Sequence, residues 1–218
     1  IFILYSMRLS IKQFQQINHI NKLEIDDLDK SIMFVQVLTG KSEFEVNKMK
    51  VKKFNNLCAD VLKAFESMMV DLKKEKPQNM LKANGKWYWI NYDVSKLDAG
   101  RYVETATFGV DLLDNLHKLM ATMVVPMKWT WKGLVPMEYD AMNHEQIADD
   151  MLQADFTHCY HACVFFYALF KNSIINLESY LESQTEKKKE LKEAMMNFKN
   201  LSDGFITPNW YQNLKISV

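Results

Sequence analysis

MLKANGKWYWINYDV, residues 80–94, is the stretch on which the fold turns. Asn84-Gly85 lies between two short apolar and aromatic runs. Asn-Gly is the strongest short hairpin signal, because a type I′ turn needs positive φ at both central positions. Two short strands are therefore expected around it. Trp87, Tyr88, Trp89 and Tyr92 make the hairpin aromatic on both faces, so at least one face needs cover from the rest of the chain or from a partner.

Before the hairpin the period is helical. SIKQFQQI sets Ile11, Phe14 and Ile17 three residues apart, and DLDKSIMFVQVL brings Leu28, Ile32, Val35 and Leu38 onto one face. Gly40 ends that helix as a residue of the C′ type. Ser42-Glu43-Phe44-Glu45 is a capping box for a short helix, and Phe54, Leu57, Val61, Leu62, Phe65 and Met69 continue in helical register. Residues 7–72 thus read as a helical N-terminal unit, and KKEKP at 73–77 as a charged, proline-terminated linker.

After the hairpin, turn signals fall at Asp98-Ala99-Gly100 and at Gly109. Asp111 then suits the cap of a helix carrying Leu112, Leu116, Leu119 and Met123 on one face until Pro126. PMKWTWKGLVPMEYD, 126–140, holds two prolines, a glycine, Trp129 and Trp131. It reads as a loop that either packs on the core or presents its aromatics to a partner. Asn143 and Gln146 suit a capping box for a helix through Leu152. A long helix is expected from Phe156 to about Leu181, and a solvated one of mixed charge over TEKKKELKEAMMNFKN. Residues 205–218, with Pro208, Trp210 and Tyr211, form an arm that folds back on its own domain or packs elsewhere. The expected class is α+β, predominantly α-helical, with a helical N-terminal unit, a central aromatic β-hairpin and a larger C-terminal helical unit, the last two spanning 78–204.

The 218 residues suit one large domain or two small ones, and 48% hydrophobic with 25% charged residues excludes a disordered or collagen-like chain. Twenty-seven basic residues balance 27 acidic ones, leaving no long-range attraction for nucleic acid or an anionic membrane. The lysine clusters around 48–53 and 73–76 are accompanied by acids and read as solvated helix faces. The longest apolar run, CVFFYALF at 163–170, is too short to span a bilayer, so a protein without a membrane partner is expected. IFILYS at 1–6 reads as a non-native or disordered leader, with Met7 as the natural start. Three cysteines make no disulfide framework and point to a reducing compartment.

Chemistry-bearing residues concentrate in His144, Glu145, Asp149, Asp150, Asp155, His158, Cys159, His161 and Cys163. On a helix His158 and His161 are neighbours, as are Cys159 and Cys163, so each pair could meet a metal. At about 100° per residue the two pairs point to faces roughly 80–100° apart. Ala148 also stands where a zincin helix would need its second histidine after His144-Glu145. The cysteines therefore read as small core residues and the histidines as a polar border. No nucleophile elbow, Walker loop or dinucleotide fingerprint occurs, and a Cys58 or Cys159 nucleophile served by His117 requires assuming the fold. No enzyme, cofactor or metal is expected. A small metal-binding hydrolase centred on His158, His161 and Glu145 is the most distant alternative. Fourteen Met and the tryptophans exceed what one core needs, which favours contact with other proteins through Trp87, Trp89, Trp129, Trp131, Trp210 and Tyr211.

LSIKQFQQI, DDLDKSIMFVQVLTGKSEFEVNKMKVKKFNNL, LKANGKWYWINYDVSKLDAGRYVETATF and DNLHKLMATMVVPMKW, in this order, resemble a group of tailed-bacteriophage proteins found among phages of Bacteroidetes, including crAss-like ones. The shared pattern is an LTG-K helix end, an NG-x-Y-x-I-x-Y-D hairpin, L-x-AG-x-Y-V-E and NLH-K-x-M-A, over roughly residues 9–170. The resemblance implies a non-enzymatic assembly protein in the cytoplasm of an infected bacterium, most simply a tail-assembly chaperone that binds a hydrophobic segment of a tail or other virion protein. A structural virion component, such as a connector, adaptor or tail ring subunit that would stay in the particle, is the alternative, and self-association is compatible with either. The motifs are structural, and no catalytic residue is carried by them.

Overall fold

The computed structural model describes residues 8–93, Arg101, Thr105, Phe108, 111–182 and 208–210, with side chains described up to Leu169 and at 208–210. The turn signals at 98–100 and 109, the mixed-charge helix over 185–200, residues 1–6 with Met7, and Tyr211 lie outside this range. The fold is α+β and predominantly helical. Its elements are α1 (Ile11–Lys22), α2 (Asp27–Thr39), α3 (Glu43–Asn47), α4 (Val51–Lys74), β1 (Met80–Ala83), β2 (Lys86–Ile90), α5 (Leu112–Met123), β3 (Val124–Thr130), β4 (Gly133–Pro136), a 3-10 turn (Ala141–Asn143), α6 (His144–Met151) and α7 (Phe156–Glu182).

Local chemistry explains most boundaries. Ser10 and Gln13 close a capping box on α1, Asp26 accepts from the Asp29 amide at the start of α2, and Ser42 with Glu45 closes the expected box on α3. Gly40 caps α2 at φ 67°, a left-handed backbone that favours glycine. Three backbone bonds, Ile11 N to Ala154 O, Lys12 N to Leu152 O and Phe156 N to Leu9 O, zip the start of α1 to the turn between α6 and α7. Phe14 stacks on Phe156 beside this seam, with ring centroids 3.6 Å apart.

The centre of the molecule is the first half of α7, where Cys159, Tyr160, His161, Ala162, Cys163, Val164, Phe166, Tyr167 and Ala168 are all buried. A helix apolar on every side needs neighbours on every side, and α1, α4 and α5 supply them. One hydrophobic cluster runs from Leu9 and Val35 through Met68, Tyr88 and Leu116 to Tyr167. The four strands form one antiparallel sheet in the order β1-β2-β3-β4.

Several expectations require correction. The segment 126–140 is not a loop, because β3 and β4 occupy most of it as a second hairpin, and α5 stops at Met123 since β3 begins at once. Two-strand pairing outweighed the prolines because each sits where a proline is tolerated: Pro136 ends the edge strand and Pro126 marks the change of partner from β2 to β4. Leu28, Leu62 and Met69 are exposed. Phe54, Leu57, Val61 and Phe65 of the expected α4 stripe do pack on the core, but its fully buried line is Val61, Ala64, Met68 and Leu72 in place of Leu62 and Met69. Asp111 makes no side-chain cap. Asn143 and Gln146 form no capping box, since Asp140 accepts from the Met142 amide and a 3-10 turn leads into α6.

Candidate protein-contact surface

The first hairpin is built from its turn. Asn84 and Gly85 take φ 47° and 77°, the double positive φ of a type I′ turn. Pairing of Leu81 with Tyr88 and of Ile90 with Val124 turns these side chains inward, and all four are buried. Asp150 of α6 fastens the hairpin from below. Its carboxylate accepts from Asn84 Nδ2 at 2.6 Å, Lys86 Nζ at 2.6 Å and the Tyr88 hydroxyl at 2.5 Å. Burial opposes its charge, but the three donors outweigh burial and hold the carboxyl below its ordinary range. Burial, with the adjacent Asp150 charge, pushes the Tyr88 hydroxyl up, so it stays a donor.

Strand alternation then decides the other face. Trp89 is opposite Met80 and Val125, Lys82 is opposite Trp87, Trp129 is opposite Leu134, and Met127 is opposite Pro136. Paired residues share a face and alternate residues along β3 do too, so Met80, Trp87, Trp89, Met127, Trp129 and Leu134 lie on one outer face of the sheet. Three of the six aromatics expected to make contacts are thereby brought together. Trp87 is 38% exposed and Trp89 half-buried.

Beyond Pro126 the sheet becomes a two-stranded ribbon. Pairing of β2 with β3 ends at Tyr88 and Pro126, whereas β3 and β4 stay paired from Met127 to Thr130. The Pro126 carbonyl accepts from Met137 N at 2.8 Å, on the β4 side. By alternation the N–H and C=O groups of Met127 and Trp129 point the other way, toward an edge that β2 does not pair. At the tip, Trp129 is 78% and Trp131 90% exposed, and Lys132 Nζ lies 4.7 Å from the Trp131 ring centroid. Among the described residues no acceptor meets either indole N–H, and Lys82, Lys128 and Lys132 form no ion pair.

Trp210 behaves differently. Its indole N–H donates to His161 Nδ1 at 3.2 Å, its ring lies edge-on to Phe165, and Asn209 N donates to Lys73 O. His161 Nε2 faces Asp71 O at 3.3 Å, which fixes the neutral tautomer, and burial lowers the imidazole's proton affinity. This part of the arm therefore folds back on its own domain.

The residues weighed as ligands or nucleophiles are spent separately. Cys159 and Cys163 are buried in the core, burial pushes both thiols up, and Cys163 Sγ meets Met120 Sδ at 3.6 Å. His158 Nε2 is 2.6 Å from Arg8 Nη1, and because arginine only donates, this nitrogen accepts. Arg8 also donates to Glu75 at 2.7 Å, tying the N-terminal segment to the end of α4. His144 faces Lys118 O, and Glu145 is exposed beside it. Gln15 meets His117 Nδ1, and burial raises the Cys58 thiol. Among the described residues no group of three His, Cys, Asp or Glu is placed to hold a metal ion. An open groove of about 920 Å³ lies between α1 and α2, lined by Ser10, Gln13, Gln16, Met33 and Gln36, but Gln13 is already engaged with Ser10 N and Val37 O. Among the described residues no helix is long and apolar enough to cross a membrane.

The two hairpins carry roles that the sequence reading missed. Asp150 reads as a metal-ligand type in the sequence, although its partners are Asn84 of the Asn-Gly turn and Lys86 directly after that turn. The ribbon had its own signal: Trp131-Lys132 is a two-residue connection before Gly133, with Val124, Val125, Thr130 and Val135 nearby. Comparison with protein-family models, with curated proteins and with solved structures gives no match for this chain.

Proposed function

We propose that this chain is a non-enzymatic protein-binding component whose contact element is the β3–β4 ribbon. The observation that carries the reading is the pair Trp129 and Trp131, 78% and 90% exposed on a two-stranded projection. A buried tryptophan covers about 150–250 Å² and dominates the interfaces in which it sits. Leaving two of them in water at the tip of a ribbon costs solubility and contributes nothing to the core. Met127 and Leu134 extend the same face as adaptable apolar neighbours, Lys132 adds charge beside the Trp131 ring, and Lys128 carries charge on the ribbon's other face.

The resemblance to tailed-phage assembly proteins gives this surface a role: it holds a hydrophobic segment of a tail or other virion protein until assembly, in the cytoplasm of the infected bacterium. A structural subunit of the particle would use the same ribbon for a permanent contact. The test places a photo-crosslinking amino acid at position 131, and at exposed Val51 as control, in the chain produced during infection. An adduct to one virion protein from position 131 alone supports the reading. Equal or absent adducts at both positions overturn it. Mass spectrometry of purified particles then separates the two roles, because a chaperone is missing from them and a structural subunit is present.

A further inference from the structure

We infer that the ribbon also takes a second copy of this chain, docking on its Glu24–Asp29 segment head to tail. This rests on the ribbon being a contact element, as proposed above. The end of the α1–α2 connection and the first residues of α2 read Glu24-Ile25-Asp26-Asp27-Leu28-Asp29. All six residues are exposed, Ile25 and Leu28 at 38% and 60%, and among the described residues none of the four acids forms an ion pair. It is a short apolar pair set in four negative charges. The ribbon tip is the converse in charge: Lys132 stands over the Trp131 ring, Lys128 lies on the ribbon face opposite Trp129, and no acid occurs between Met127 and Met137.

Within one copy the two surfaces do not cover each other, since Trp129, Trp131, Ile25 and Leu28 all remain exposed. Two different patches that complement each other make a heterologous contact, which propagates into a ring or a filament instead of stopping at a symmetric dimer. Two tryptophans against two aliphatic side chains fall short of the roughly 800 Å² per partner of a standard interface. Each contact is therefore weak, accelerated by charge and sensitive to salt, and it becomes durable only through closure of a ring or reinforcement by a client.

Sedimentation velocity of the full chain at rising concentration tests this, at about 50 mM and about 500 mM salt, where the screening length differs roughly threefold. Concentration-dependent association is expected at low salt and is lost at high salt. E24K/D27K and K128E/K132E each weaken it by about tenfold or more, and the chain carrying all four changes recovers it to within about threefold. Asp26, the cap of α2, is left intact, and circular dichroism checks that each variant is folded. A wild-type chain that stays monomeric to about 0.5 mM at low salt overturns the inference, as does a charge-reversed chain that associates normally or a fourfold variant that is not rescued. If the monomeric result comes with a client adduct at position 131, only self-docking falls. If association follows the predicted reversals without any client adduct, the heterologous client reading falls and self-docking stands.

Discussion

The two hairpins of the sheet carry the same kind of residue to opposite ends. In β1–β2 the tyrosine between two tryptophans is buried, and its hydroxyl, the turn amide and a lysine converge on one carboxylate of α6. In β3–β4 the two tryptophans stand in water, and among the described residues none supplies an acceptor to their indole N–H groups. An aromatic strand is drawn into the core where a neighbouring helix offers a buried partner for its polar atom, and becomes a surface where none does. The difference lies in α6, a helix some sixty residues away in sequence, and not in the strands themselves.

Removing the fastening should therefore produce the largest contrast. Asp150→Ala leaves the Tyr88 hydroxyl and Asn84 amide without an acceptor beneath the sheet. It is expected to cost about 2–4 kcal/mol in denaturant unfolding, with Lys86 contributing little of this because it is half in water. Trp129→Ala with Trp131→Ala should stay within about 0.5 kcal/mol of wild type, since both sites are surface positions. Comparable losses from the two changes would show that the ribbon is packed in solution and would remove the basis for calling it a contact element.

Acid should erase the same contrast. The Asp150 carboxyl is held below its ordinary value in the folded chain, so its stabilising contribution is full above about pH 4, the unfolded value, and is lost as pH falls through the folded one. The stability gap between wild type and Asp150→Asn should then be constant from neutral pH down to about 4 and close below it. A gap that stayed open in acid would mean that packing, and not the charged acceptor, holds the hairpin.

The glycines refine the comparison. Gly85 and Gly133 have φ of 77° and 105°, and nothing lies within 4 Å of where a Cβ would stand at either, so each alanine substitution reads backbone strain alone. At Gly85 the strain is expected to cost about 1–2 kcal/mol of global stability, because the turn is tied to the core. At Gly133 it should show mainly as faster amide exchange in β3–β4, since the ribbon can fray without unfolding the rest. Equal global effects would make the sheet one cooperative unit.

How much of this was legible in the chain follows the same line. Asn84-Gly85, the Ser42 box and the Gly40 cap were readable because each is a local rule satisfied within four residues. Trp87 and Trp129 sharing a face could not be read, because it depends on β2 meeting β3 across more than thirty residues and on the register of that pairing. The exposed Leu62 and Met69 illustrate a further limit: helical period places apolar residues on a face, but the direction of that face is set by α7 and α2. Asp150 looked like a ligand because a carboxylate near histidines and cysteines has two uses, and only the fold shows which one it takes.

The smallest expected effect concerns the tryptophan that does have an acceptor. Trp210 donates to His161, whose other nitrogen faces the Asp71 carbonyl. This pattern requires a neutral ring. Burial lowers its proton affinity in the folded chain, so below about pH 6.5 the unfolded or undocked state takes up the proton first. The contact contributes fully above that pH and weakens as the pH falls toward the folded value, opposite to a histidine that gains an anionic partner. The indole N–H resonance of Trp210 should accordingly exchange faster and shift toward its solvent position between pH 7 and 5, while those of Trp129 and Trp131 stay unchanged. His161→Gln, which has no ionisable ring, should flatten the Trp210 response. A pH-dependent shift that survived this change would place its origin outside the Trp210–His161 contact.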